Sequence, residues 1–414
     1  MTKKYRILAI LVAVFLLMGL VAACSQDAPP PAPSPAASPA DPAETPEPPA
    51  NGAVEVDEVV IGVLAPLTGP VAQFGVATNM GINLYVDQFN AQGGLQIRLE
   101  TFDEEGQPSM GIAGYHALMD RGVSSIIGAV TSGVTMAVVP LAFEDNLPMI
   151  TATSTHANVT VNRDTGEVFT NMFRSCFIDP FQGMKMAEFA AEIVGAETVA
   201  ILFNNENDYS IGLMQAFEEK AIELGLEIVA IETFQAGAVD FQGQLTNIAA
   251  QNPDALFIPY YYQSIALIGP QSAAVGLDTT LLGADGWATI LDFMADPSSI
   301  EGAYFLTGFS PDVDDPLVQQ FIADFTAANN VAPNMFAAQA FDAAAILIAA
   351  IEAAIADGFA PGDAGFNESV IAHMAATDMT GVTGHITFDQ YNNPQKTAVI
   401  LTIENGQERF WGYF

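Results

Sequence analysis

Short apolar runs alternate with longer amphipathic segments from about residue 59 onward. The first run, residues 59–64, is continuous and rich in β-branched side chains, which is typical of a strand buried on both faces of a parallel sheet. Residues 78–91 carry apolar side chains at helical spacing and are followed by Gly93 and Gly94, so they predict a helix with a glycine stop. The chain therefore begins its folded part as strand and then helix.

The same alternation continues along the chain. It predicts further strands near residues 97–102, 125–128, 149–151, 199–203, 227–234, 255–259 and 280–283, with helices between them. Strands and helices that alternate at this spacing are typical of doubly wound α/β folds, and their number predicts two parallel sheets. Ligands of such sheets bind beyond the carboxyl ends of the strands.

Residues 335–356 are apolar enough to suggest a membrane span, which needs about 20 such residues. Gln339, Asp342 and Glu352 interrupt this segment. Because acidic side chains are costly inside a bilayer, we predict a buried helix of a soluble domain.

The N-terminus has the pattern of a secretory signal, with basic residues ahead of an apolar run at 7–23. The run ends in VAAC, which resembles a bacterial lipobox. We therefore expect residues 1–23 to be a lipoprotein signal peptide and Cys24 to be lipidated. An uncleaved membrane anchor is the alternative, but the run is shorter than a span and stops at a cysteine. The pattern predicts an exported protein, lipid-anchored to the extracytoplasmic face of the bacterial cell membrane.

Residues 24–57 contain the lipidated cysteine and a proline-rich segment with almost no large apolar side chain. Such a composition cannot bury a core, so it predicts a semi-extended tether. The remaining cysteine, Cys176, would have no disulfide partner once Cys24 carries lipid, and it is expected to be a small buried hydrophobic residue.

The formal net charge is −37, which argues against binding to nucleic acid or to anionic lipid. Residues that could catalyse a reaction or bind a metal also show no characteristic spacing. The four histidines lie far apart, without metal-ligand spacing, and neither a G-x-S-x-G elbow nor a phosphate-binding G-x-x-x-x-G-K occurs. We therefore expect no enzyme activity, no metal and no cofactor. Ligand binding explains the sequence more simply than catalysis does.

Five segments in order carry a family resemblance: IGVLAPLTGPVAQFG, NAQGG, SSIIGAVTSGVTMAVVPLAFEDNLPMITATST, LGADGWAT and TGHITFDQYNNPQ. Together they resemble the leucine/isoleucine/valine-binding family of ABC-transporter substrate-binding proteins. The resemblance implies the type I periplasmic-binding-protein fold, an α/β architecture of two Rossmann-like lobes with parallel-sheet cores, three hinge crossings and a ligand cleft. It places lobe 1 at 58–176 plus 309–386 and lobe 2 at 177–308 plus 387–414.

The resemblance also implies a function. The protein would be a monomer that captures a small ligand, an amino acid of the branched-chain type, for import by ABC permease subunits. A ligand sensor on the same fold is one alternative, and an amide, urea or an aromatic acid is an alternative ligand. An exported enzyme is a third hypothesis, which would require turnover.

One half of the expected site lies at a helix N-terminus. Residues 128–133 follow a strand and open a helix, so free backbone N–H groups and the positive helix end suit a carboxylate. Ser132 could add a hydroxyl, and Thr153 and Thr155 end the next strand beside it. Taken alone, Ser132 is equally well interpreted as a helix cap.

The other half is expected at Asp285. This residue follows a predicted strand and matches the family position whose carboxylate accepts the α-ammonium of the ligand. An Asx turn before Gly286 is the alternative. Tyr209 and Tyr262 are placed to cover the ligand, although one of the three consecutive tyrosines at 260–262 must face elsewhere.

Aromatic residues are the candidates for the side-chain pocket. Phe74 follows the first strand, and Trp287 and Phe341 are further candidates to line the cleft. All three could equally belong to the hydrophobic core.

Overall fold

The computed structural model describes residues 54–162 and 164–414. The predicted signal peptide, Cys24 and most of the predicted tether lie outside the described residues. Within the described part the chain forms two α/β domains, each built on a largely parallel sheet. The predicted fold class is therefore confirmed.

The first sheet has five parallel strands in the order β2-β1-β3-β4-β5. The strands are β1 (Glu58–Ala65), β2 (Gln96–Asp103), β3 (Ser125–Ile127), β4 (Met149–Thr151) and β5 (Met172–Arg174). Val59, Ile61 and Val63 of β1 are fully buried. Both faces of β1 are covered by helices, which explains its continuous apolar sequence.

The second sheet has seven strands in the order β14-β13-β10-β9-β8-β6-β7. Five of them are parallel: β6 (Thr198–Asn204), β7 (Glu227–Phe234), β8 (Ala255–Phe257), β9 (Thr280–Gly283) and β10 (Tyr304–Thr307). The C-terminal hairpin of β13 (Val399–Glu404) and β14 (Gln407–Tyr413) adds two antiparallel strands at the β10 edge. The end of the chain thus returns to the second domain.

Helices cover both sheets. They are α1 (Ala72–Asn90), α2 (Pro108–Asp120), α3 (Ser132–Glu144), α4 (Asp179–Phe189), α5 (Asp208–Leu224), α6 (Gln242–Ala249), α7 (Tyr262–Ala274), α8 (Pro316–Asn329), α9 (Met335–Ala356) and α10 (Phe366–Ala375). The eight strands expected from apolar runs all form, as β1–β4 and β6–β9. Helix α1 begins six residues before the predicted start and ends within one residue of the predicted end.

Helix α9 is the only helix among the described residues that is long and apolar enough to cross a membrane. It lies inside the first domain, where most of its side chains are buried against α1 and α10. At the closest approach a Cβ on Gly81 would lie 2.2 Å from the carbonyl oxygen of Ala337, so only glycine lets α1 and α9 pack this tightly. The prediction of a buried helix is confirmed.

The chain passes between the two domains three times. The crossings follow β5, β10 and a small hairpin made of β11 (Asp378–Gly381) and β12 (Gly384–Thr387). The hairpin is held to α9 by Asp342, whose carboxylate accepts the backbone N–H groups of Val382 at 2.8 Å and Thr383 at 2.9 Å. The crossing after the hairpin lines one pocket with the crossing after β10 and another with the crossing after β5, so the three crossings form one connecting region.

Candidate functional site

A small cavity lies where the two domains face each other beyond the carboxyl ends of their strands. Its lining comes from both domains: Phe74, Val130, Thr131, Ser132, Thr153 and Phe336 from the first, and Tyr209, Tyr261, Asp285 and Gly286 from the second. The volume is about 10 Å³, roughly the space that one water molecule needs. A ligand of amino-acid size would therefore require the domains to separate.

The N-terminus of α3 forms the first wall. Since β3 ends at Ile127 and α3 begins at Ser132, the first-turn N–H groups lack intrahelical acceptors beside the cavity. These groups and the helix dipole make the wall suitable for an anion. The Ser132 hydroxyl accepts a hydrogen bond from the backbone N–H of His156 at 3.2 Å, so it also ties the helix end to the loop after β4.

The loop after β4 is braced from inside the first domain by Arg174. This side chain is fully buried, and its guanidinium donates hydrogen bonds to the carbonyl oxygens of Ser154 at 2.8 Å and His156 at 3.0 Å. A third bond goes to the Thr160 hydroxyl at 3.2 Å. Burial lowers the pKa of Arg174, but a guanidinium remains charged in proteins. The loop that carries Thr153 is thus fixed by a buried cation.

The second wall is centred on Asp285, which is almost completely buried. Its Oδ1 accepts hydrogen bonds from the Tyr209 hydroxyl at 2.6 Å and from the Gln182 amide at 3.1 Å. The Tyr209 hydroxyl in turn accepts the backbone N–H of Gly286 at 2.8 Å. Burial raises the pKa of Asp285 to about 6, and the bonds from Tyr209 and Gln182 oppose that rise. A carboxylate held in this way is positioned for a cationic ligand group.

Aromatic rings close the remaining sides. Tyr209 stacks on Tyr261 with ring centroids 5.0 Å apart. From the first domain, Phe74 stacks on Phe336 at 4.1 Å and meets Tyr261 edge-on at 5.6 Å. The cavity therefore combines a helix N-terminus, a carboxylate and an apolar aromatic surface.

Five of the predicted site residues meet at this cavity. They are Phe74, Ser132, Thr153, Tyr209 and Asp285. Three of them belong to the first domain and two to the second. The structure thus brings together the two halves that the sequence analysis placed at strand ends.

Four other predicted residues do not line the cavity. Trp287 is buried in the core of the second domain, where its indole N–H donates to the carbonyl oxygen of Ile258 at 2.8 Å. Phe341 packs against other aromatic rings of the first domain. Thr155 is buried, and its hydroxyl has no hydrogen-bond partner within the described part of the chain. It is not among the residues that line the cavity.

Tyr262 is the fourth of these residues, and it joins the domains instead. Its hydroxyl donates to the carbonyl oxygen of Pro70 in the first domain at 3.1 Å, and its ring contacts Phe74 at 4.9 Å. The neighbouring Tyr261 occupies the place at the cavity that was expected for Tyr262. As expected, not all three consecutive tyrosines face the cavity. The one that lines it is Tyr261 and not Tyr262.

Several site residues were not expected. Phe336 lies in the first turn of α9 and Gln182 lies in α4, far in sequence from the segments that carry the resemblance. Neither has a local signal, because each is brought to the site by helix packing. Arg174 did have a sequence signal, since a charged residue at the end of a short apolar run indicates a buried polar partner.

Two α/β domains connected by three crossings, with a cavity between the strand ends, define a two-domain solute-binding protein. The sequence model of the periplasmic binding protein family matches residues 58–408. The chain belongs to this family.

Individual relatives agree with this assignment. The Leu/Ile/Val-binding protein BraC3 of Rhizobium johnstonii is 29% identical over 300 residues, which cover 72% of this chain and 80% of the relative. A leucine binding protein, LivK, of Thermotoga maritima has a TM-score of 0.78 at 30% identity, covering 86% of this chain and 98% of its own. The branched-chain amino acid transporter substrate binding protein LivJ of Streptococcus pneumoniae, solved in complex with isoleucine, has a TM-score of 0.77 at 29% identity, with 86% and 99% covered.

Proposed function

We propose that this protein captures a branched-chain amino acid outside the cytoplasmic membrane and delivers it to an ABC permease. The observation that carries the proposal is the pairing, across one cavity, of the α3 N-terminus with the buried carboxylate of Asp285. An α-amino acid has opposite charges two bonds apart, and this arrangement offers one complementary group to each. The names of the relatives, which bind leucine, isoleucine or valine, support the same ligand class.

In this proposal the ligand carboxylate accepts the first-turn N–H groups of α3 and a hydroxyl from Ser132. The ammonium donates to Asp285, whose Oδ1 is already held by Tyr209 and Gln182. The aliphatic side chain packs against the rings of Phe74, Phe336 and Tyr261. Since the ligand contacts both domains, it favours the conformation in which they are close together.

We also propose that the two lobes comprise residues 58–176 plus 309–386 and residues 177–308 plus 387–414. The separate sheets and the positions of the three crossings support these limits. Movement about the crossings would open the cavity to the ligand.

Calorimetric titration of the protein with leucine, isoleucine and valine tests the proposed ligand. We expect one ligand per chain and no product after prolonged incubation, which separates binding from an enzymatic reaction. Benzoate, urea and glutamine serve as comparison ligands, since an aromatic acid, urea and an amide are the alternatives. Tighter binding of any of these than of all three branched-chain amino acids would overturn the proposal. A sensor on the same fold would bind equally well, but it would not restore leucine uptake when supplied with the permease.

Leucine affinity is expected to fall about tenfold between pH 8 and pH 5. The ligand ammonium needs an ionised Asp285, and the pKa of the free carboxyl is about 6 because of burial. Binding is therefore at full strength above that pKa and is lost as the pH falls through it, with about a tenth of the carboxyls ionised at pH 5. Leucine itself stays zwitterionic over this range. Calorimetry at constant ionic strength measures the profile.

The matched control for this profile is Asp285→Asn, which cannot titrate at that position. Its residual affinity should vary little over the same range. A flat profile for the unaltered protein would exclude Asp285 as the ammonium partner.

We propose that Cys24 carries the lipid that anchors the protein, and that residues 24–57 are the tether. The VAAC sequence after an apolar run supports this, together with the position of the folded domains well downstream. Cys24→Ala should release the protein from the membrane fraction while leucine binding is retained. Fractionation with a carbonate wash checks the outcome, with Cys176→Ala as the control. A Cys24→Ala protein still found in the washed pellet would contradict the lipid anchor.

A further inference from the structure

A second and larger cavity lies at the connecting region between the domains. Its volume is about 450 Å³, within the range of about 300–1,000 Å³ that is usual for small-molecule sites. The walls are the crossing after β10, the β11-β12 hairpin and the segment that leads into β13. None of these segments lines the cavity beside Asp285.

We call this second cavity the hinge cavity. Lys396 provides a positive charge on its wall. Its ammonium donates to the carbonyl oxygen of Thr383 at 3.2 Å and to the Thr383 hydroxyl at 2.5 Å. An ammonium has three N–H groups, so one remains for another acceptor. Within residues 54–162 and 164–414 no carboxylate oxygen lies within 4.0 Å of this nitrogen.

Asp342 is linked to Lys396 by hydrogen bonds only through Thr383. Its Oδ1 accepts the N–H of Val382, and its Oδ2 accepts both the N–H and the hydroxyl of Thr383. Both oxygens are thus engaged by the hairpin. Burial lowers the pKa of Lys396, and the charge of Asp342 opposes that change. The ammonium is therefore partly desolvated and lacks a directly bonded counter-ion.

Hydroxyl groups dominate the remaining polar lining. They belong to Ser310, Thr380, Thr387, Thr397 and Tyr413. The other polar side chains of the lining are Asp315, His385 and Gln395, and the Asp315 carboxylate accepts the backbone N–H groups of Leu317 and Val318 at the start of α8. Hydroxyls can donate to and accept from the hydroxyl groups of a ligand, whereas a single cation suits one negative charge. The formal net charge of −37 disfavours ligands with several negative charges. Together these groups match a ligand with one carboxylate and several hydroxyls.

We propose that the hinge cavity is a second ligand site, which binds a small hydroxy acid with its carboxylate on Lys396 and its hydroxyls on the surrounding Ser, Thr and Tyr side chains. This site is separate from the amino-acid site and does not depend on the ligand proposed for it.

The test is calorimetric titration of the full-length chain in detergent with D-gluconate. Sorbitol is the matched comparison, because it has the same chain of hydroxyls and lacks the carboxylate. We expect gluconate to bind with one ligand per chain and sorbitol to bind at least tenfold more weakly. Lys396→Met should weaken gluconate binding at least tenfold, and Lys396→Arg should retain most of it. Lys220→Met is the control, since the Lys220 ammonium pairs with Glu188 and Glu223 away from the cavity.

A second variant guards against a folding defect in Lys396→Met. Thr397 is exposed at the cavity edge, so Thr397→Phe should fill the cavity without removing the ammonium, and it should also abolish gluconate binding. Circular dichroism melts and leucine titrations report whether each variant is folded. No measurable heat with gluconate at millimolar concentration, equal binding of sorbitol, or gluconate binding unchanged in both folded variants would each overturn the proposal.

Discussion

Asp285→Ala is expected to weaken leucine binding by about 2–4 kcal/mol, which is roughly one and a half to three orders of magnitude in Kd. The carboxylate is almost completely buried, so the ligand ammonium would lie in the same desolvated place without its partner. The loss includes the cost of leaving that charge unpaired, and for this reason it exceeds the value of an ordinary hydrogen bond. Calorimetry at pH 7.5 measures the change.

Two further variants separate charge from shape at this site. Asp285→Asn keeps the volume and removes the charge, so its effect should be almost as large as that of alanine. Ser132→Ala removes one neutral group among several at the α3 end, and it should cost only about 1 kcal/mol. Wild-type affinity in Asp285→Asn would show that the ligand has no cation at this position, and a neutral amide or an aromatic acid would then replace the amino acid.

Arg174→Met is expected to lower the free energy of unfolding by about 3 kcal/mol. The methionine occupies similar space, but the carbonyl oxygens of Ser154 and His156 lose their donors in a buried setting. Each unsatisfied buried acceptor costs about 1–3 kcal/mol. Because the same loop carries Thr153 at the cavity, leucine affinity should fall as well. Urea unfolding and calorimetry measure the two effects.

The control for this variant is Arg98→Met on the surface. The Arg98 side chain is exposed and pairs with Glu58 and Glu100, and exposed ion pairs contribute little to stability. Its unfolding midpoint should stay close to that of the unaltered protein. An equal shift of the unfolding midpoint in Arg174→Met and Arg98→Met would show that the buried hydrogen bonds of Arg174 stabilise the fold no more than an exposed ion pair does.

Much of the fold could be predicted because buried parallel strands have a local signature. Strands such as β1 and β6 are continuous apolar runs, and any chain with these runs between helices favours the doubly wound arrangement. Two of the strands that were not singled out, β5 and β14, lack this signature. β5 has only three residues and ends in Arg174, and β14 alternates between exposed and half-buried positions at a sheet edge. β5 pairs with β4, which is distant in sequence, whereas β14 pairs with the adjacent β13 across a short turn.

The candidate site also contains residues that the sequence predicts and residues that it does not. Ser132 and Asp285 lie in the segments that follow β3 and β9, so their place beyond the carboxyl ends of the strands results from the chain order alone. Tyr261 precedes α7 and lines the cavity, whereas Tyr262 is the first residue of the helix and does not. A step of one residue at the start of the helix therefore decides which ring faces the cavity. Trp287, which could equally have been a core residue from the sequence, does not line the cavity because a single helical turn after β9 returns its ring to Gly283, in the core of its own domain.

Under the proposed function, one amino acid is held by its two charged ends between the two domains. A crystal structure of the protein grown with L-leucine tests it most directly. We predict the leucine carboxylate at the N–H groups of the first turn of α3, beside Ser132, and the ammonium within hydrogen-bond distance of Asp285. Leucine bound outside this cavity, or with its ammonium away from Asp285, would contradict the account.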